Sequence, residues 1–300
     1  MLKIAFDKTY RHQLGENHRF PMIKYELIPE QLIRKNICSE SCFFAPAVIS
    51  KENVILTHEE LYYDQLLALN LSKADQRQIG FPFSEDLVKR ERTIAQGSIQ
   101  NTQYALEHGI SMNIAGGTHH AFRNKPGAFC MLNDQAIAAN YLIKKKISHR
   151  VMIVDLDVHQ GNGTASIFEN IERVYTLSFH GKKNYPFLKQ NSDFDLGFED
   201  GTTDAYYLSK LKYELPRRID AFEPDFIFYL AGVDVLKNDK LGRLELSIEG
   251  CKERDRFVLS LCKSHNIPVQ VSMGGGYSIY LKEIIDAHSN TFELAQELFF

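Results

Sequence analysis

The stretch Val151-Met152-Ile153-Val154-Asp155-Leu156-Asp157-Val158-His159-Gln160-Gly161-Asn162-Gly163 decides how the chain is read. An unbroken apolar run from Val151 to Val154 predicts a strand buried on both faces, as parallel sheets require. Acidic and imidazole groups follow at once, and then glycines. Side chains alternate in extended chain, so Asp155, Asp157 and His159 can project together from the carboxyl end of one strand. Open α/β sheets keep their chemistry there. Asp157 and His159 offer one oxygen and one nitrogen to a borderline ion such as zinc, whose catalytic sites take three protein ligands and leave a position open for water. One ligand is still wanting. The plainer alternative is that buried acids and an imidazole merely satisfy loop amides.

The remaining apolar runs supply further strand ends. Ser111 to Ala115 delivers Gly116-Gly117-Thr118-His119-His120, where glycines let the backbone turn tightly and set two adjacent histidines in place. Each histidine can face a different partner. Phe226 to Leu230 delivers Ala231-Gly232-Val233-Asp234, and this carboxylate is the candidate third ligand, its ordinary alternative being a helix cap. Pro268 to Met273 delivers Gly274-Gly275-Gly276-Tyr277. Three glycines let a backbone wrap a cavity floor, and a tyrosine held above a metal is a credible electrophile.

Helical patterns fill the gaps. Thr57-His58-Glu59-Glu60 has capping-box spacing, Ser84 opens a long helix closed by Gly109, Asn133 caps one from Asp134 to Lys146, and Ser247 opens one through Cys262. Pro29 is expected to kink or interrupt a helix that carries Ile23, Leu27 and Leu32, and Pro216 sits awkwardly between Tyr206 and Phe222. Val174 to Ser178 predicts another strand, and the polar segment from Gly181 to Thr203 reads as a long surface loop. This alternation predicts one α/β domain over residues 1–300, with a mostly parallel central sheet and helices on both faces.

Composition narrows the function classes. With 35 basic and 38 acidic residues and a net charge of −3, the chain has no cationic block suited to nucleic acid. Five unpatterned cysteines fit a reducing compartment, and Cys38 and Cys42 read as ordinary thiols. No signal-like apolar core and no run of about 18 apolar residues is seen, so the expectation is a soluble cytoplasmic protein without a membrane span.

Taken together, from His18-Arg19-Phe20-Pro21 to Gly274-Gly275-Gly276-Tyr277, these motifs resemble the zinc-dependent histone deacetylase family, with its arginase-like α/β fold. Asp155-Leu-Asp-Val-His-Gln-Gly-Asn-Gly163 and Asp239-Lys-Leu-Gly-Arg243 are most similar to the class IV branch and its bacterial relatives. The resemblance implies that Asp157, His159 and Asp234 bind zinc, that His119 and His120 handle the proton, and that Tyr277 polarises an acyl carbonyl. It implies substrate contacts at Phe129 and Tyr185, which match the walls of the family's acyl tunnel, and at Gly275. Arg19 matches a residue lining an internal pocket for released acid. A potassium site is implied at main-chain oxygens around Asp155, Asp157, His159, Ser178 and Phe179. Asp155 is expected to accept a hydrogen bond from His119.

The implied activity is hydrolysis of an acyl-lysine or small N-acyl amine by metal-activated water, with acyl groups longer than acetyl within range. Two departures stand out: Asn162 replaces an Asp that charge-pairs with the second histidine in many members, and Gly80 falls where many carry a rim Asp. The nearest rival is an acetylpolyamine amidohydrolase, which Glu199, Asp200 and Asp204 would favour if they face the entrance. The other is an acyl-lysine binding module with a dead site.

Overall fold

The computed structural model describes residues 1–15 and 18–300; Glu16 and Asn17 lie outside the described residues. The elements run β1 (Lys3–Ala5), α1 (Lys24–Arg34), β2 (Phe43–Phe44), α2 (Lys51–Val54), α3 (Glu60–Leu67), α4 (Lys73–Ile79), α5 (Glu85–His108) and β3 (Ile110–Asn113). They continue with α6 (Asp134–Lys144), β4 (Val151–Asp155), α7 (Asn162–Phe168), β5 (Val174–Gly181), β6 (Phe194–Phe198), α8 (Asp204–Phe222), β7 (Phe226–Leu230), α9 (Ile248–Ser264), β8 (Val269–Ser272) and α10 (Leu281–Phe299).

The strands form one eight-stranded sheet in the order β2-β1-β3-β8-β7-β4-β5-β6, and every pairing in it is parallel. The chain is therefore an α/β protein as expected. Strands β3, β4, β7 and β8 are buried along their whole length, which explains the apolar runs of β4 and β7, while buried polar members of β3 and β8 are hydrogen-bonded, Ser111 donating to Lys3 O and Ser272 to Asp134. They are also the four adjacent strands at the centre of the sheet, so the loops leaving their carboxyl ends open side by side. Helices α5 and α6 pack on each other, with α5 lying along β1, β3 and β8; α1, α10, α9 and α8 form a second continuous layer.

Capping chemistry sets several boundaries. The hydroxyl of Ser84 accepts from the Leu87 amide to open α5, and Gly109, at φ +86°, closes it in the left-handed region. Asn133 and Ser247 cap α6 and α9 in the same way. Three expectations fail for identifiable reasons. Thr57 does not form a capping box, because its hydroxyl bonds Ala136 O and Asn140 on α6, and α3 begins at Glu60 without a side-chain cap. Pro29 does not interrupt α1, nor Pro216 α8: Ile28 and Leu32, and likewise Leu215 and Ile219, are buried around them, and packing holds each helix through its proline. The segment from 181 to 203 is not all loop, since Phe194–Phe198 adds the edge strand β6, paired with β5 from Leu177 to Gly181.

Candidate active site

Asp157, His159 and Asp234 converge, although 75 residues of sequence separate the last two. One ligand atom from each lies within 4.8 Å of the others, and all three residues are buried. His159 Nδ1 stands 3.1 Å from Asp157 Oδ1 and 3.1 Å from Asp234 Oδ2. Backbone amides hold the carboxylates in place: Val158 N donates to Asp234 Oδ1 at 2.9 Å, and Gly275 N to Asp157 Oδ2 at 2.8 Å. A Cβ at Gly275 would collide with both carboxylates, so only glycine admits this approach. Two buried carboxylates facing one imidazole nitrogen make a dense anionic site that a divalent cation suits, and two oxygens with one nitrogen match zinc's donor preference.

Behind this cluster Arg254, fully buried, donates to Leu156 O at 3.1 Å and Gly232 O at 2.7 Å and pairs with Asp255. Those carbonyls belong to the segments that carry Asp157 and Asp234, so one guanidinium ties the two segments together.

The paired histidines fall beside the cluster. His119 Nδ1 lies 2.7 Å from Asp155 Oδ2, as expected, and His120 Nδ1 lies 2.7 Å from Asn162 Oδ1. An amide oxygen can only accept, so Nδ1 of His120 carries the hydrogen and its Nε2 keeps a lone pair. Burial, reinforced by His119 and His159, pushes the His120 pKa well below the usual imidazole value. Burial also disfavours the charged form of His119, but the carboxylates of Asp155 and Asp157 outweigh it and raise that pKa. The two rings, 4.1 Å apart between centroids, are thus held in different protonation preferences. Their loop is anchored by Asp134, whose carboxylate accepts from Thr118 N at 2.9 Å and from Ser98 and Ser272. A Cβ at Gly117, itself at φ +75°, would sit 2.9 Å from Gly274 Cα, so the two glycine loops touch back to back.

Tyr277 is buried at 8% exposure, with its amide donating to Asp239 Oδ2 at 2.6 Å. Burial first, and then Asp234 and Asp157, hold its phenol pKa well above the ordinary value, so it stays protonated and able to donate. Phe129 and Tyr185 both line the same cavity, of about 440 Å³, that reaches Asp157, His159, Gly275 and Tyr277. The Tyr185 ring stands edge-on to His120 at 4.8 Å. Gly80, at φ +72°, ends α4 in a conformation that favours glycine, and a Cβ there would press on Phe129 at 3.1 Å. Asp155 and Ser178 are opposite each other on β4 and β5, which brings the five positions of the potassium expectation to one end of two paired strands.

Two expectations are corrected by position. Arg19 does not line an internal pocket: it is exposed at the cavity mouth, its guanidinium 5.0 Å from the Phe129 ring centroid. Lys24, a cation at 0% exposure, also stands beside the site, donating to Gly274 O at 3.1 Å and lying 5.7 Å from the Tyr277 ring centroid. Burial lowers its pKa to about 8, against the pull of Asp234, Asp157 and Asp239. Sequence reasoning missed it because a helical lysine ordinarily reads as a solvated charge. The acidic residues considered for the entrance do not line it either. Glu199 bonds Lys182, Asp200 pairs with Arg243 and Lys183, and Asp204 accepts from Ser247 at the start of α9.

Comparison with known proteins bears on the family and the fold. The chain is 38% identical over 296 residues to an uncharacterized protein of Picosynechococcus sp., covering 99% of both chains. It is 31% identical to Histone deacetylase 2 of Arabidopsis thaliana, over 87% of this chain and 70% of that one. Among solved structures, an HDAC homolog complexed with SAHA superposes with a TM-score of 0.84 at 23% identity, covering 98% of this chain and 84% of the other, which establishes the fold. The histone deacetylase domain pattern matches residues 18–292, and the chain belongs to the histone deacetylase family.

Proposed function

We propose that residues 1–300 act as one catalytic domain, a zinc-dependent amidohydrolase that removes an acyl group, acetyl or longer, from N-acyl-lysine. The observation that carries this reading is the convergence, on one cavity, of a buried Asp157-His159-Asp234 cluster, the His119-His120 pair and Tyr277. Asp157, His159 and Asp234 would hold the ion, and what zinc supplies there is polarisation of the carbonyl and a water pKa lowered towards roughly 7. A potassium ion on main-chain oxygens of Asp155, Asp157, His159, Ser178 and Phe179 belongs to the same reading, through the family resemblance.

The protein's own groups do the rest. His120, neutral and with its Nε2 lone pair free, takes the proton from water and returns it to the leaving amine. Asn162 fixes its tautomer, and Asp155 does the same for His119. Tyr277 donates to the oxygen on which charge develops. Phe129 and Tyr185 flank the lysine arm, and Gly275, which cannot carry a side chain, leaves the carbonyl room to approach. The cavity falls within the usual range of small-molecule sites and continues past Gly117 to Tyr25 and Ile94, which supports acyl groups longer than acetyl.

A polyamine substrate finds no support at the entrance, where no carboxylate lines the cavity among the described residues. A dead binding site is disfavoured by the presence of every reacting group. The test is a hydrolysis panel on zinc-loaded protein with peptides bearing acetyl-, octanoyl- and myristoyl-lysine, and with N-acetylputrescine. Turnover of one or more acyl-lysine peptides is expected; turnover of acetylputrescine alone, or of nothing, would overturn the assignment.

A further inference from the structure

The cavity has two ends of opposite character. Its buried end carries the reacting groups, and among the described residues the one carboxylate that lines it there is Asp157. The members of its lining that are exposed are Arg19, Gln78, Lys183, Phe187 and Arg243. These are three cations, an amide and a phenyl ring, with no acid among them. Lys183 and Arg243, whose side chains are 61% and 53% exposed, share a single carboxylate, Asp200, at 3.8 and 3.2 Å. Two cations against one acid leave the mouth positive, and Arg19 on the Phe129 ring adds to it. The chain as a whole is weakly acidic, at −3, so the positive mouth is a local feature.

From this geometry we infer that the preferred substrate carries a carboxylate on the amine side of the scissile amide. The inference rests on the acyl-lysine reading above. If the acyl carbonyl meets the buried cluster, the acyl group lies inward and the rest of the substrate leaves through the mouth, past Lys183, Arg243 and Arg19. An acidic side chain flanking the acyl-lysine in a peptide meets that requirement. So does the α-carboxylate of free Nε-acyl-lysine, whereas a polyamine meets the opposite charge. The contribution is long-range and partly screened, because the cations are exposed. It belongs mainly in substrate capture, hence in kcat/KM and its salt dependence, and less in kcat.

The experiment compares acetyl-lysine peptides of one length flanked by Asp and Glu, by Ala, or by Lys and Arg, measured for hydrolysis by the zinc-loaded enzyme and for binding to its Tyr277→Phe variant. A parallel arm sets free Nε-acetyl-lysine against its α-methylamide and so separates the two carboxylate sources. The acidic peptide is expected to exceed the basic one on the order of tenfold in kcat/KM at low salt, falling towards parity near 1 M, where the screening length is about 3 Å. The acidic-to-basic ratio should rise in Asp200→Asn, which removes the compensating acid, and fall to about one in Lys183→Gln with Arg243→Gln. Hydrolysis of all three peptides within twofold of one another overturns the inference and leaves the hydrolase reading standing. Binding that prefers the acidic peptide without any hydrolysis supports the inference and overturns the reading. A preference for the basic peptide, in either readout, overturns the inference.

Discussion

The floor and the mouth of the cavity are built from the same kinds of charged side chain and differ in what surrounds them. On the floor, Asp157 and Asp234 are 2% and 0% exposed, and each is held by backbone amides, by His159 and by a neighbouring loop. At the mouth, Lys183 and Arg243 reach into solvent from the ends of long, flexible side chains. A buried charge without partners costs several kcal/mol, so every acid on the floor must be there for a reason. An exposed pair is worth about 1 kcal/mol or less, and its meaning comes only from what it faces. On the proposed reading, the floor sets the reaction and the mouth biases which substrate reaches it.

Breaking the floor should cost most. Asp234→Ala removes one of the three proposed ligands and leaves Asp157 and His159 to face each other; loss of both bound zinc and measurable turnover is expected, by metal analysis and assay of the same sample. Tyr277→Phe should keep the metal and the fold while kcat drops on the order of a hundredfold, the usual consequence of deleting a donor to a developing oxyanion. A drop below threefold would remove Tyr277 from the reaction.

The support behind the floor should matter less than the floor itself. Arg254→Gln loosens the brace between the Leu156 and Gly232 carbonyls and is expected to weaken zinc affinity by roughly tenfold, in the range of other indirect contacts to metal ligands. Competition with a chromophoric chelator measures it, and Arg254→Lys should recover part of the loss. Unchanged affinity in the glutamine variant would make Arg254 a packing residue only.

The smallest effect expected is a displacement in pH. The folded state holds His120 below the usual imidazole pKa, so it is an available base at neutral pH and is lost only as pH falls through that depressed value. Asn162→Asp places a negative charge on its Nδ1–H, favours the imidazolium, and should move the acidic limb of the pH-rate profile upward by about one unit. A profile that stays put would separate His120 from that limb.

The same contrast explains what was legible in the sequence. The central strands could be read because burial on both faces demands apolar runs such as Phe226–Leu230, and the site could be read because glycines and acids at strand ends have few other uses. Strand β6 was not legible because its five residues, which alternate Phe194-Asp195-Leu196-Gly197-Phe198 as a half-buried edge strand does, sit inside a long polar segment rich in Asn, Asp, Lys and Gly. Pro29 and Pro216 misled because local backbone rules were overruled by packing. The depths of Lys24 and Arg19 were not legible because residue type says nothing about depth: Lys24 is buried against the Gly274 loop and Arg19 is exposed. The positive mouth was hidden for the same reason, since Arg19, Lys183 and Arg243 come from three separate segments.

On the proposed function, one buried ion held by Asp157, His159 and Asp234 makes this cavity an amide hydrolase. A titration of chelator-stripped protein with zinc tests it, with hydrolysis of an acyl-lysine peptide and bound metal followed together. Expected is activity that is absent at the start, rises linearly, and reaches its plateau at one zinc per chain. Full turnover by the stripped protein, or stoichiometric zinc uptake with no hydrolysis of any acyl-lysine peptide, would contradict it.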